Sequence, residues 1–213
     1  GTKVLGTQKA YIDDISEFKN EISTARTFSF LHEIEMLLDD GLIKGGDLNN
    51  AIVYVDNITA ALAQFAPRKA TKFYQNRESY IAEIEALHRQ IQKIVASLPQ
   101  NRRTVVTSHD AFQYFGRDYG LTFIAPQGMS TDSESSAQDV AKLIEQMRTK
   151  HIKAVFIENI SDPRLLQQIA KETGANIGGT LFPGALSEPN GPAPTYLKML
   201  RHNAITITRA LGS

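Results

Sequence analysis

The chain has 213 residues, no cysteine and no tryptophan, and its 23 basic residues balance 23 acidic ones. That length suits one domain, or one domain with an appendage, and buries a core without covalent staples. Zero net charge gives no pull toward nucleic acid or an anionic membrane, the missing thiols remove disulfides, thiolate metal sites and cysteine nucleophiles, and no apolar run approaches the roughly 18–20 residues of a membrane span.

The first residues, Gly1-Thr-Lys-Val-Leu-Gly, lack the apolar segment of a secretory signal, so no signal peptide is expected and Gly1 reads as a processing or tag scar. Lys9–Phe18 reads as a short strand or turn. Leu31, Ile34, Leu37 and Leu38 mark one face of a helix that Gly41 terminates, and Gly45-Gly46 makes a turn. The next stretch, Ala51-Ile-Val-Tyr-Val, fits two patterns. Its β-branched density suits a buried strand, while Ile52, Val55, Ile58 or Thr59, Leu62 and Phe65 also form a helical stripe. The expectation adopted is a strand at 51–55, followed by a helix capped by Asp56 or Asn57.

Residues 68–98 predict a long amphipathic helix with Tyr80, Ile81, Ile84, Leu87, Ile91, Ile94, Val95 and Leu98 on its apolar face, stopped by Pro99. Beyond residue 103, short apolar runs alternate with helical patterns. The runs are Thr104–Thr107, Leu121–Ala125, Ile152–Ile157 and Asn176–Leu181. The helices are Asp110–Tyr119 ended by Gly120, one opened by Ser136 with Asp139 as a capping box, one opened by Asp162-Pro163, and a last one carrying Tyr196, Leu197 and Leu200. Alternation of this kind predicts an α/β architecture: a four-stranded parallel sheet flanked by helices, a long connecting helix, and a small N-terminal α+β appendage. Ligands of such sheets lie at the carboxyl ends of strands, which here are Ser108-His109, Ala125-Pro126, Glu158-Asn159 and Leu181–Ala185.

Three stretches carry a family resemblance: Thr107-Ser-His-Asp-Ala-Phe, Glu158-Asn-Ile-Ser-Asp-Pro-Arg and Gly191-Pro-Ala-Pro-Thr-Tyr. In order and spacing, residues from about 49 to 213 resemble the C-terminal half of the solute-binding proteins of zinc and manganese ABC transporters. The resemblance implies an extracytoplasmic two-lobed protein with a rigid helix between the lobes and a metal held by two ligands from each lobe. It makes His109 the first ligand of the C-terminal lobe. The second is an Asp in a Leu-Tyr-Ser-Asp-Ala-Leu-Ser-like stretch. This chain has Leu181-Phe-Pro-Gly-Ala-Leu-Ser, so Gly184 stands where that carboxylate belongs. The two His ligands of the N-terminal lobe have no match. Zinc takes about four ligands, so the resemblance leaves His109 as a vestigial metal contact. Glu158 is expected to bond locally, near Arg164 or a helix N-terminus. His32, His88, His151 and His202 read as packing or surface residues, and Phe182 and Tyr196 as core or crevice wall.

Upstream, Val4-Leu-Gly-Thr-Gln-Lys-Ala, Arg26-Thr-Phe-Ser-Phe-Leu-His-Glu and Leu42–Val53 resemble a fragment of the zinc-dependent UDP-3-O-acyl-N-acetylglucosamine deacetylase of lipid A synthesis, over residues 1 to about 56. The resemblance gives Thr27 the place of a residue that positions the scissile amide, and Phe28 and Phe30 the place of substrate-contacting aromatics. Ser29 departs from the usual Gly. The enzyme's zinc ligands have no match here, and without the ion there is no activated water for amide hydrolysis.

Together these observations predict a non-enzymatic chimera, engineered or recombined, joined near Asn50–Asp56 and with no intact catalytic or transport site. Its expected divisions are a strand–helix–strand fragment (1–56), connecting helices (57–99) and an α/β lobe (100–213). The alternative is a module derived from metal-binding solute-binding proteins, with weak zinc or manganese affinity through His109. No other cofactor and no nucleic-acid partner is expected, an ABC permease enters by family analogy alone, and the helix face of Leu31, Ile34, Leu37 and Leu38 either packs on Ile84, Leu87 and Ile91 or drives homo-oligomerisation. One parent is extracytoplasmic and the other cytoplasmic, which leaves the compartment open.

Overall fold

In the computed structural model the residues described are 48–126 and 136–212. The expectations for Leu31–Leu38, Thr27, Phe28, Ser29, Phe30 and His32 lie outside them. The chain enters on helix α1 (Leu48–Phe65), passes a 3₁₀ turn begun by Pro67, and continues in α2 (Ala70–Ala96). The strand expected at 51–55 is therefore a correction: those residues lie within the first two turns of α1. The local cost of β-branched residues in a helix is only a few tenths of a kcal/mol each. Against it, Leu48 and Ala51 are buried, and Ile52 and Val55 pack on the same core; burying one leucine side chain alone is worth about 1.5–3 kcal/mol.

Helix α2 has 27 residues, about 40 Å of axis at 1.5 Å per residue. Its buried residues Ile84, Leu87, Ile91 and Val95 recur at the three- and four-residue spacing of one helix face. The last carbonyls are satisfied by Arg103, whose guanidinium donates to the oxygens of Leu98 and Ala96, the expected service of a basic side chain at a helix C-terminus.

The α/β lobe follows as β1 (Thr104–Val106), α3 (Gln113–Tyr119), β2 (Thr122–Ile124), α4 (Ala137–Thr149), β3 (Ala154–Glu158), α5 (Arg164–Thr173), β4 (Asn176–Leu181) and α6 (Tyr196–Gly212). Every strand pair is parallel, in the order β2-β1-β3-β4. Alternation along the strands feeds two cores. Val105, Ala154 and Phe156 face α2, α3 and α6, while Val106 and Val155 face α4 and α5. A sheet covered on both faces gives uninterrupted apolar runs instead of polar alternation, which is why the inner strands β1 and β3 read as short apolar blocks.

Local signals hold at most helix ends. Ser136 accepts from the N–H of Asp139 and donates its hydroxyl to that carboxylate at 2.6 Å. Gly120 and Gly174 adopt φ of 70° and 73° to close α3 and α5. Helix α3 starts at Gln113, three residues later than expected, because His109–Phe112 are used to turn the chain beyond β1.

Candidate functional site

The order β2-β1-β3-β4 places β1 beside β3 although β2 intervenes in sequence. The crossovers leaving these two strands go opposite ways, which in open α/β sheets marks the carboxyl ends of the two strands as the place where ligands bind. The chain sets one polar residue at each tip. His109 follows β1, Glu158 is the last residue of β3, and they are 3% and 1% exposed.

Glu158 grips the turn after β1 with both oxygens. Its Oε1 accepts from the backbone N–H of Ser108 at 2.9 Å and of His109 at 3.1 Å. Its Oε2 lies against His109 Nδ1, and apart from each other neither atom has a partner. Thr107 Oγ1 donates to the His109 carbonyl at 3.0 Å, so the same turn is held from both ends. The hydroxyls of Ser108 and Ser161 are buried nearby without partners, and the N–H of Ser161 donates to the Glu158 carbonyl at 3.2 Å. Buried polar atoms in this state are costly unless something answers them, and four of those found among the described residues gather at these two strand tips.

The tip of β4 is organised just as firmly but carries no donor. Asn203, on α6, is fully buried; its Oδ1 accepts from Phe182 N–H at 2.9 Å and its Nδ2 donates to Phe182 O at 2.8 Å. His202 Nε2 donates to the Thr180 carbonyl at 3.0 Å. Asn159 ties β3 across, through its N–H to Leu181 O and its Nδ2 to Ala185 O, each at 3.0 Å. On this fixed loop Gly184 is exposed, with φ outside the left-handed region and nothing within 4 Å of where a Cβ would stand.

Of the residues singled out in the sequence, His109 is buried beside Glu158, Phe182 is buried in the core, and Tyr196 packs on that core. His88 bonds the Tyr119 hydroxyl at 3.0 Å. The partner expected for Glu158 is corrected: Arg164 is taken by Asp162, at 3.0 and 2.8 Å from its Nε, and holds that carboxyl below the usual range through its side chain and backbone N–H. Glu158 bonds locally, but to the His109 turn. The clamp by Asn203 went unread. Its signal was an amide on the apolar face between Leu200 and Ile207. Among the described residues no three His, Asp or Glu side chains converge as a metal would require.

Comparison with known proteins bears on this geometry. Residues 46–210 match the family model described as zinc-uptake complex component A, periplasmic, and residues 1–65 match that of UDP-3-O-acyl N-acetylglycosamine deacetylase. The chain is 38% identical over 165 residues to the manganese-binding lipoprotein MntA of Bacillus subtilis, covering 75% of this chain and 54% of that protein. It is 32% identical over 164 residues to the iron-binding protein YfeA of Yersinia pestis, covering 77% and 53%. The solved periplasmic zinc-binding protein TroA of Treponema pallidum superposes with a TM-score of 0.76 at 31% identity, over 81% of this chain and 64% of that one. The chain thus spans about half the length of the curated relatives it matches.

Proposed function

The chain belongs to the family of periplasmic zinc-uptake component A proteins, matched over residues 46–210, and from that premise we propose that it is a binding module for a divalent transition-metal ion, held weakly through His109. The observation that carries this reading is the buried imidazole at the β1–β3 switch point, its backbone and Nδ1 both engaged by Glu158. Imidazole suits zinc, manganese and iron alike, and relatives are named for each of the three, so the chemistry defines a class and not one metal. A single imidazole falls short of the roughly three protein donors of even an open zinc site. The affinity expected is therefore weaker than about 1 μM, less than about 8 kcal/mol of binding free energy.

The family's setting supports an extracytoplasmic location and an ABC permease as partner. No helix among the described residues is long and apolar enough to cross a membrane. The match to a deacetylase model at residues 1–65 overlaps the other at 46–65. That overlap favours a composite chain, with a deacetylase-like segment leading into α1 and the metal-binding lobe from about residue 100.

Isothermal titration with Zn²⁺ and Mn²⁺, repeated on His109→Ala, tests the proposal. The expected result is measurable heat for the native chain and none for the variant. Equal heats would assign the binding to other groups and end the His109 reading.

A further inference from the structure

We infer that Glu158 is a positioning residue that fixes the tautomer of His109, leaving Nε2 as the atom that meets the metal. The inference rests on the proposed role of His109 but concerns a property the metal-free protein already has. A neutral imidazole carries one proton on two nitrogens, and the partner of one nitrogen decides which. Here Nδ1 faces a carboxyl oxygen of Glu158, a group that in its ionised form only accepts. The pair is stabilised only if Nδ1 carries the hydrogen, which leaves the lone pair on Nε2.

The carboxylate itself is not free to rotate. Its other oxygen is held by two backbone N–H groups, those of Ser108 and His109, so the ring and the turn that bears it are located by one side chain. Both side chains are essentially buried, at 4% and 0% exposure, and water cannot substitute for either contact. Carboxylates placed behind ligating histidines raise their basicity and fix their orientation, and removing them typically lowers metal affinity about 10- to 100-fold.

Glu158→Gln separates this role from simple packing. The substitution keeps the shape and one oxygen to accept from Ser108 and His109. The amide N–H₂ then faces Nδ1, donates to it, and drives the ring proton to Nε2. Long-range ¹H–¹⁵N NMR on the metal-free protein at alkaline pH reads the tautomer directly. The native chain should show a pyrrole-type Nδ1 and a pyridine-type Nε2, E158Q the reverse, with zinc affinity in titration lowered about 10- to 100-fold. A native ring protonated on Nε2, or on both nitrogens, overturns the inference, as does an unchanged tautomer in E158Q. If E158Q does not fold, the native spectrum decides alone. A native Nδ1–H tautomer with no metal binding would sink the proposed function and leave the positioning role standing.

Discussion

Asn203 offers the sharpest quantitative test, because its two bonds are to one residue and both ends are buried. Asn203→Ala removes an acceptor from Phe182 N–H and a donor to Phe182 O. Asn203 has no exposure and Phe182 only 7%, so water cannot replace the lost amide. Each stranded buried group costs about 1–3 kcal/mol, and with two groups stranded the expected loss is roughly 2–6 kcal/mol, large for one substitution. Asn203→Asp refines the argument. The introduced carboxyl still accepts from Phe182 N–H, but when ionised its second oxygen opposes the Phe182 carbonyl. When protonated it donates there and restores both bonds. Folding therefore favours the protonated form and raises the pKa of that group above its unfolded value near 3.9. The sign follows: the deficit against the native chain is small below about pH 4 and widens by about 1.4 kcal/mol per pH unit until the folded pKa is passed. Urea unfolding followed by circular dichroism at several pH values measures it. A loss under about 1 kcal/mol for N203A, or a pH-independent deficit for N203D, would refute the claim that this amide is what fixes the β4 tip.

Other predictions bear on the site and its rim. Gly184→Asp puts a carboxylate on a loop already pinned by Asn203 and Asn159, with no steric conflict at Cβ; zinc affinity should rise at least about tenfold, or about 1.4 kcal/mol, and an unchanged titration would show that the loop does not face the metal. The Arg164 guanidinium and backbone N–H hold the Asp162 carboxyl below its usual range, so an NMR titration should give a pKa under about 3.9 that returns toward that value in Arg164→Ala. Because the folded value is the lower one, whatever this exposed pair adds to stability is complete above about pH 4 and fades as the pH falls through the folded pKa.

The sheet was legible in the sequence because burial on both faces leaves continuous apolar runs, as at Ala154–Ile157, and because Ser136, Gly120 and Gly174 mark helix ends through their own local chemistry. His109 was legible for a similar reason, as a polar residue directly beyond an apolar run. The segment 51–55 was not. A run of β-branched residues obeys both periods when it is short, and the deciding contacts, Leu48 and Ala51 against the core shared with α2, are tertiary. Glu158 and Asn203 were half-legible: each interrupts an apolar pattern, which marks it as a buried polar group needing a partner, but the partners lie 49 and 21 residues away and no local pattern names them.

The strand tips differ in how their side chains are tied to the core. At β1 and β3 the donor and its support are both present: His109 is held by Glu158, and Glu158 by the backbone it organises. At β4 the support is present without the donor: Asn203, His202 and Asn159 fix Thr180 through Ala185, and Gly184 presents nothing. The clamps on β4 bind backbone groups, and they are needed to satisfy buried N–H and C=O atoms whether or not a metal is ever bound. A side chain at position 184 has no such second duty, since nothing packs against it. The packing of the fold thus fixes the loop without fixing the side chain at position 184, and His109 differs from that position in being tied to the core through the Glu158 carboxyl behind it.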